Sequence, residues 1–163
     1  RTLASKRQEP PFILLLDLIQ DIHNLGSLIR TAEATGVHGV VIQNRRAAGV
    51  TPAAVNASSG ASEHLLISSV TNLAQEIDRL KQDDVWVAGL EGSLDAQPYT
   101  DIDMTGPFAL VVGSESSGIR RLVKSRCDWI AAIPMRGKIE SLNAAVAGSI
   151  ALYEGFTQRQ RSR

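Results

Sequence analysis

The sequence predicts an α/β protein, a mostly parallel six-stranded sheet with helices on both faces. Three observations predict it. Short apolar runs recur from Phe12–Leu18 (FILLLDL) to Asp128–Ile133 (DWIAAI), without the polar alternation of a half-solvated strand. Helical segments separate these runs, which is the rhythm of βα units. The length, 163 residues, suits one domain of roughly 100–200 residues. The domain is expected over residues 12–158. A polar, linker-like segment ending in Pro-Pro precedes it over 1–11, and a frayed tail follows over 159–163. The chain opens on Arg1 rather than Met, so a preceding domain is expected in the whole protein.

In order, Phe12–Leu18 reads as a buried strand. Asn24–Thr35 (NLGSLIRTAEAT) reads as a helix whose apolar stripe is Leu25, Leu28, Ile29 and Ala32; Asn24 is its expected N-cap and Gly36 its stop. Gly39–Ile42 is a second strand. Thr51-Pro52 opens a short helix, with Pro at the first position. Leu65–Ser68 is a third strand, and Thr71 is the expected cap of a helix reaching Gln82. Val85–Leu90 is a fourth strand, Glu91–Gly106 a loop, and Phe108–Val112 a fifth strand. A short helix at Ile119–Ser125 leads to the sixth strand, Asp128–Ile133. Trp86 and Trp129 lie in apolar strands and are expected in the core.

Composition excludes several classes. Net charge is zero, which argues against binding nucleic acid by bulk charge alone. No run of 18 apolar residues exists, so no membrane span is expected. Cys127 stands alone, which fits a reducing cytoplasm. His23, His38 and His64 are scattered away from other ligand types, so no metal site is expected. Charge is nevertheless uneven. Glu76–Asp103 carries eight acidic and two basic residues, whereas Met104 onward carries nine basic and four acidic. An ordinary solvated surface would account for any one of these cations; their clustering beside a candidate site favours phosphate contact.

That site is the stretch Ile133–Leu152 (IPMRGKIESLNAAVAGSIAL). A strand end, a loop carrying Arg136, Gly137 and Lys138, and a helix start follow one another, which makes a ligand-binding corner in an α/β sheet. Ser141 is the expected cap of a helix starting at Leu142. Ala144, Ala145, Ala147, Gly148 and Ala151 give that helix a small-residue face for close approach. Gly113–Gly118 (GSESSG) is a second strand-to-helix turn. It is neither a dinucleotide-binding G-x-G-x-x-G, because Glu115 replaces the second Gly, nor a P-loop, because Ile119-Arg120 follows. Arg30 sits beside the apolar stripe, either snorkelling or committed to a partner such as Glu33.

Three segments together, DIHNLGSLIRTAEATGV (Asp21–Val37), VVGSESSGI (Val111–Ile119) and IPMRGKIESLNAAVAGSIALYE (Ile133–Glu154), resemble the ordered motifs of the SpoU (TrmH-like) family of RNA ribose 2′-O-methyltransferases. VNASSGASEHL and VTNLAQEIDRLK resemble the branch that modifies a guanosine of 23S rRNA. The chain departs from the family pattern at Ser116, where Gly is usual, and at Ala144-Ala145, where Val-Ser is usual. The resemblance implies a deep trefoil knot in the C-terminal part of the sheet, a homodimer, and S-adenosylmethionine as cofactor. Carried over, Asn24, Arg30, Glu115, Ser141 and Asn143 form the catalytic set. Leu90, Gly113, Ile133, Met135 and Leu142 hold the cofactor. Arg45, Arg46, Arg120, Arg121 and Arg136 contact RNA. The missing upstream domain would be an RNA-binding one. A tRNA target, a non-catalytic ribosome-assembly module on the same fold and a flavodoxin-like nucleotide enzyme are the competing readings.

Overall fold

Apolar runs become strands here because residues on both sides of the sheet can be buried. The computed structural model describes residues 2–43, 56, 58–61 and 64–163. After helix α1 (Thr2–Arg7) come β1 (Phe12–Asp17), α2 (Ile22–Ala34), β2 (Gly39–Gln43), β3 (Ile67–Val70), α3 (Leu73–Gln82), β4 (Trp86–Leu90) and β5 (Gln97–Pro98). A 3₁₀ turn (Tyr99–Asp101), β6 (Phe108–Gly113), α4 (Arg121–Arg126), β7 (Trp129–Ala132) and α5 (Ala144–Arg161) complete the order. The strands lie in the order β3-β2-β1-β6-β4-β7-β5, and every neighbouring pair is parallel. All strand C-termini therefore reach one edge of the sheet.

The alternation of side chains along β1 divides the core. Leu14 and Leu16 face α2 and α5, where Leu25, Leu28, Ile29, Ala145 and Leu152 pack. Leu15 faces the other side, against Leu73, Ala74 and Ile77 of α3 and Val123 of α4. Glycines let α5 approach α2 and the sheet closely. A Cβ on Gly148 would stand 2.5 Å from Leu28 and one on Gly155 2.8 Å from Phe12.

Several expectations are corrected. The sheet has seven strands, not six. The seventh, Gln97–Pro98, is two residues long and pairs with Ala131 and Ala132 of β7; it is too short and polar to give an apolar run, and its Pro is tolerated at an edge. The third strand lies two residues later than expected, at Ile67–Val70. Helix α2 is capped by Asp21, whose carboxylate accepts from the Asn24 N–H, and α3 by Asn72, not Thr71. The last helix runs on to Arg161. Arg159 donates to the carbonyls of Pro10, Pro11 and Gly106, so this end of the chain is tied down rather than frayed. Residues 2–7 of the linker-like segment form α1. Trp129 is partly buried against the main core, as expected, whereas Trp86 is 53% exposed and stacks on it from outside with centroids 5.0 Å apart. The small face of α5 is consumed inside the chain, with Ala144, Ala145 and Ala151 all buried. The expected helix at Thr51-Pro52 lies outside the described residues.

Cys127 packs under α4, and its Sγ–H donates to the Val123 carbonyl at 3.4 Å. Burial, seconded by Asp128, pushes its thiol up to about 12. Reaction needs the thiolate. Alkylation by iodoacetamide at pH 8 is therefore expected to run roughly 100-fold or more slower in the native protein than in guanidinium, measured by mass spectrometry over time.

Candidate active site

Three adjacent strands, β6, β4 and β7, end side by side, and the residues at or just after their ends, Gly113, Leu90 and Ile133, floor a cleft of about 170 Å³. Two loops complete it. One is the turn Gly113–Gly118, closed by an antiparallel bridge between Ser114 and Gly118 and a 2.8 Å bond from the Gly118 N–H to the Ser114 carbonyl. This turn is possible only without side chains at its two ends. A Cβ on Gly113 would stand 2.3 Å from the Gly118 carbonyl carbon, and Gly118 itself has φ +62°. The other loop runs from Ile133 to Asn143 and contributes Met135, Ser141 and Leu142 to the wall.

Helix α5 opens at Ala144, not at Leu142, and Asn143 rather than Ser141 is its cap. Its Oδ1 accepts from the N–H groups of Ala145 and Val146 at 2.9 and 3.1 Å. This fixes the orientation of the carboxamide, because the oxygen must face the helix and the NH₂ must face away. That NH₂ donates to Asn24 Oδ1 at 3.0 Å and to Glu115 Oε1. The Asn24 NH₂ donates in turn to Glu115 Oε1 at 2.8 Å, and the Ala144 N–H approaches the same oxygen at 3.4 Å. One carboxylate oxygen at a helix N-terminus thus collects three N–H groups from two elements far apart in sequence. Glu115 Oε1 is fully engaged, and the three side chains together form a wall between the cleft and the surface beyond it. A second cleft of about 190 Å³ lies beyond it, lined by Gln20, Asp21, Asn24, Ser116 and, shared with the first, Ser114, Glu115 and Ala144.

All five expected cofactor contacts, Leu90, Gly113, Ile133, Met135 and Leu142, line the first cleft, as do Glu115 and Ser141. Asn24, Glu115 and Asn143 are in direct contact. Arg30 is not with them. It is exposed on α2 and, among the described residues, has no hydrogen-bond or ion-pair partner, Glu33 included. Six residues separate it from Asn24, about 9 Å along the helix and about 240° around it. Within one chain, therefore, Asn24 and Glu115 orient each other and not Arg30. Arg121 and Arg136 are exposed, whereas the Arg120 guanidinium is turned inward onto Asp17 at 2.6 Å and onto Gln43. Arg45 and Arg46 lie outside the described residues.

Two groups of side chains were missed from sequence. Asp17, fully buried at the end of β1, is one; its signal was a lone acid inside FILLLDL. Glu91 and Glu140 are the other, joining Glu115 around the cleft, with Glu91 paired to Lys124 at 2.5 Å. The cleft thus combines apolar walls from Leu90, Ile133, Met135 and Leu142 with carboxylates. That donor set suits a ligand with a flat apolar part and a positive charge. Among the described residues no group of His, Cys, Asp and Glu stands close enough together to hold a metal ion, and no helix is long and apolar enough to cross a membrane.

This geometry is that of an α/β protein holding a small ligand at the carboxyl ends of its strands. The SpoU rRNA methylase family model matches residues 11–153, and the chain belongs to that family. A Bacillus subtilis (strain 168) relative named as a TrmH-family tRNA/rRNA methyltransferase, YacO, is 46% identical over 156 residues, covering 96% of this chain and 62% of its own. A similarly named Staphylococcus aureus (strain COL) protein is 48% identical over 147 residues, 90% of this chain and 59% of its own. The chain thus spans about three-fifths of the length of these relatives. Among solved structures, the SpoU methyltransferase AviRb of Streptomyces viridochromogenes in complex with AdoMet (S-adenosylmethionine) superposes with a TM-score of 0.86 at 31% identity, covering 94% of this chain and 62% of that one. The A. aeolicus TrmH/SpoU tRNA-modifying enzyme superposes equally, 0.86 at 25% identity, covering 99% and 86%.

Proposed function

We propose that this chain is the catalytic domain of an S-adenosylmethionine-dependent RNA ribose 2′-O-methyltransferase, with a guanosine of 23S rRNA as its favoured target. The observation that carries the reading is the meeting of all three motif segments at one place: the cleft at the ends of β6, β4 and β7, walled off by Asn24, Glu115 and Asn143. Its apolar walls and three carboxylates fit the adenine and the positive charges of S-adenosylmethionine, and the AdoMet-bound AviRb shares the fold. Leu90, Gly113, Ile133, Met135 and Leu142 would hold it.

When bound, the cofactor supplies a methyl group already activated on a sulfonium. The chain's residues then need to position and stabilise charge. The second cleft, across the Asn24–Glu115–Asn143 wall, suits the target ribose. The ribose 2′-hydroxyl would be held there facing the cofactor cleft, with its proton free to pass to water. Arg30 stays protonated; its role is to stabilise the developing negative charge on that oxygen. Because Arg30 points away from its own cleft, the reading requires a homodimer in which it faces the neighbour's site. An exposed stripe on α5, including Val146 and Tyr153 (48% and 50% exposed), supports such an interface. The parallel strand order, with β6 inserted between β1 and β4, and two loops side by side over the cleft are compatible with the trefoil knot. The cytoplasm is the matching location for such an enzyme.

The test uses methyl-tritiated S-adenosylmethionine with deproteinised rRNA and tRNA, followed by alkaline hydrolysis. Alkali cleaves RNA through the 2′-hydroxyl, so a 2′-O-methyl group leaves a resistant dinucleotide. Label in resistant dinucleotides from 23S rRNA is the expected result. Label in mononucleotides would mean base methylation and would overturn the ribose reading; label from tRNA alone would move the target. Cofactor binding without any transfer would favour the non-catalytic module.

Arg45, Arg46, Arg121 and Arg136 are the proposed phosphate contacts. Four such contacts give a slope of about −3 for log affinity against log salt. A filter-binding series from 50 to 300 mM KCl checks this (a chosen range giving about 0.8 log units of salt); a flat response contradicts it.

A further inference from the structure

The most heavily hydrogen-bonded ion pair next to the cleft belongs to neither the catalytic nor the cofactor set. Asp17 is the last residue of β1, beside Gly113 in the sheet register, and its side chain is completely buried. Both of its oxygens are engaged by one residue. Oδ2 accepts from the Arg120 main-chain N–H at 2.8 Å. Oδ1 accepts from the Arg120 Nε at 2.8 Å and is ion-paired with Nη2 at 2.6 Å. Arg120 stands two residues after Gly118, at the exit of the turn that carries Glu115. The entrance of that turn, Gly113, is held in the sheet between β1 and β4. The exit follows no strand; among the described residues Asp17 is the carboxylate that anchors it. Arg120 Nη2 also donates to Gln43, the last residue of β2.

We propose that Asp17 and Arg120 are a positioning pair for methyl transfer: they fix the exit of the Gly113–Gly118 turn, and through it the floor of the cofactor cleft and the place of Glu115. This deepens the methyltransferase reading and rests on it. It also reassigns Arg120. A guanidinium committed to a buried carboxylate and a carboxamide is not presenting itself to RNA phosphates. The pair is charged because a buried carboxylate must be met by a donor set of matching charge and geometry. Glu115 then inherits the precision of that fork, because only a short, tightly bridged turn separates it from Arg120.

Three variants test this, each judged against wild-type protein by S-adenosylmethionine titration, RNA affinity and methyl-transfer kinetics. Arg120→Lys keeps the charge and the main-chain bond to Asp17 but loses the fork. It is expected to fold, to bind S-adenosylmethionine about 10-fold more weakly and to lower kcat, with RNA affinity and its salt slope unchanged. Asp17→Asn is expected to give the same pattern more strongly. The double variant Asp17→Asn with Arg120→Gln, a neutral pair able to hydrogen-bond, is expected to bind S-adenosylmethionine better than Asp17→Asn alone, which a merely destabilising effect would not produce. Unchanged cofactor affinity in folded Arg120→Lys overturns the proposal, as does a loss confined to RNA affinity with a shallower salt slope, which would return Arg120 to the RNA contacts. If wild-type protein itself binds no S-adenosylmethionine, the methyltransferase reading fails, and the positioning role falls with it.

Discussion

Arg30→Ala is expected to leave S-adenosylmethionine affinity within about twofold and to lower methyl transfer about 10²- to 10³-fold, the loss typical of removing one donor to a developing oxyanion. The split follows from geometry. Arg30 lines neither cleft of its own chain, so the cofactor cleft does not feel its removal. Its exposure on α2, with no partner among the described residues, leaves a permanent cation available to another chain. Arg30→Lys keeps the charge and loses the planar fork, and it is expected to recover little. Near-normal transfer by that variant would defeat the role. The two-chain arrangement adds a sharper result. Arg30→Ala and Asn143→Ala protomers, each nearly inactive alone, are expected to regain activity when mixed and exchanged. One of the two sites in a mixed dimer then has an intact cluster and faces an intact Arg30. No recovery in confirmed mixed dimers would place Arg30 on its own site or outside the reaction.

Gly113→Ala is the second large effect. The added methyl would stand 2.3, 2.4 and 2.5 Å from the Gly118 carbonyl carbon, the Gly118 oxygen and the Ile119 nitrogen. All three are backbone atoms, so no rotamer change relieves the contact, and the turn itself must move. Overpacking of this kind costs about 1–3 kcal/mol. If the displacement falls on the cleft, S-adenosylmethionine affinity drops about 10- to 100-fold. Both hydrophobic cores lie behind the strand ends, so the variant is expected to fold with melting lowered by a few degrees, on the order of 2–8 °C. Gly106→Ala is the control: no heavy atom lies within 4 Å of the place its added methyl would occupy, and it is expected to change neither quantity. Wild-type cofactor affinity in Gly113→Ala would show that the turn yields at no cost to binding.

The parts of the fold legible in the sequence were those with local causes. Apolar runs marked the central strands because burial on both faces forbids polar alternation, and they marked α2 because its stripe repeats at helical spacing. β5 was not legible, since two residues, one of them Pro, carry no periodicity. Caps were misassigned by a few residues for a specific reason. Asp21 and Asn24 can both cap, as can Ser141 and Asn143, and the choice is made by contacts that sequence spacing does not contain. Asn143 faces Glu115 and Asn24, so its carboxamide oxygen is turned onto the helix. Trp86 lies inside the apolar run Val85–Leu90, yet the strand begins only at Trp86, and at that first position the ring is left exposed. The candidate site was legible through its motif segments, and the five residues expected to meet the cofactor line one cleft. Asp17 was not, because its partner is Arg120, 103 residues away, and a lone acid in a strand does not announce which cation will meet it. Arg30 joins Asn24 through the family resemblance rather than through spacing, and within one chain helical rotation sets the two apart.

Every role proposed for this chain depends on S-adenosylmethionine binding in the cleft between the Gly113–Gly118 turn and the Ile133–Asn143 loop. Isothermal titration of the folded chain with that cofactor decides the matter. Saturable binding at one molecule per chain is expected, weakened about 10- to 100-fold in Gly113→Ala. Absence of any saturable binding to folded wild-type protein, or equal affinity in the two proteins, is incompatible with a cofactor seated there.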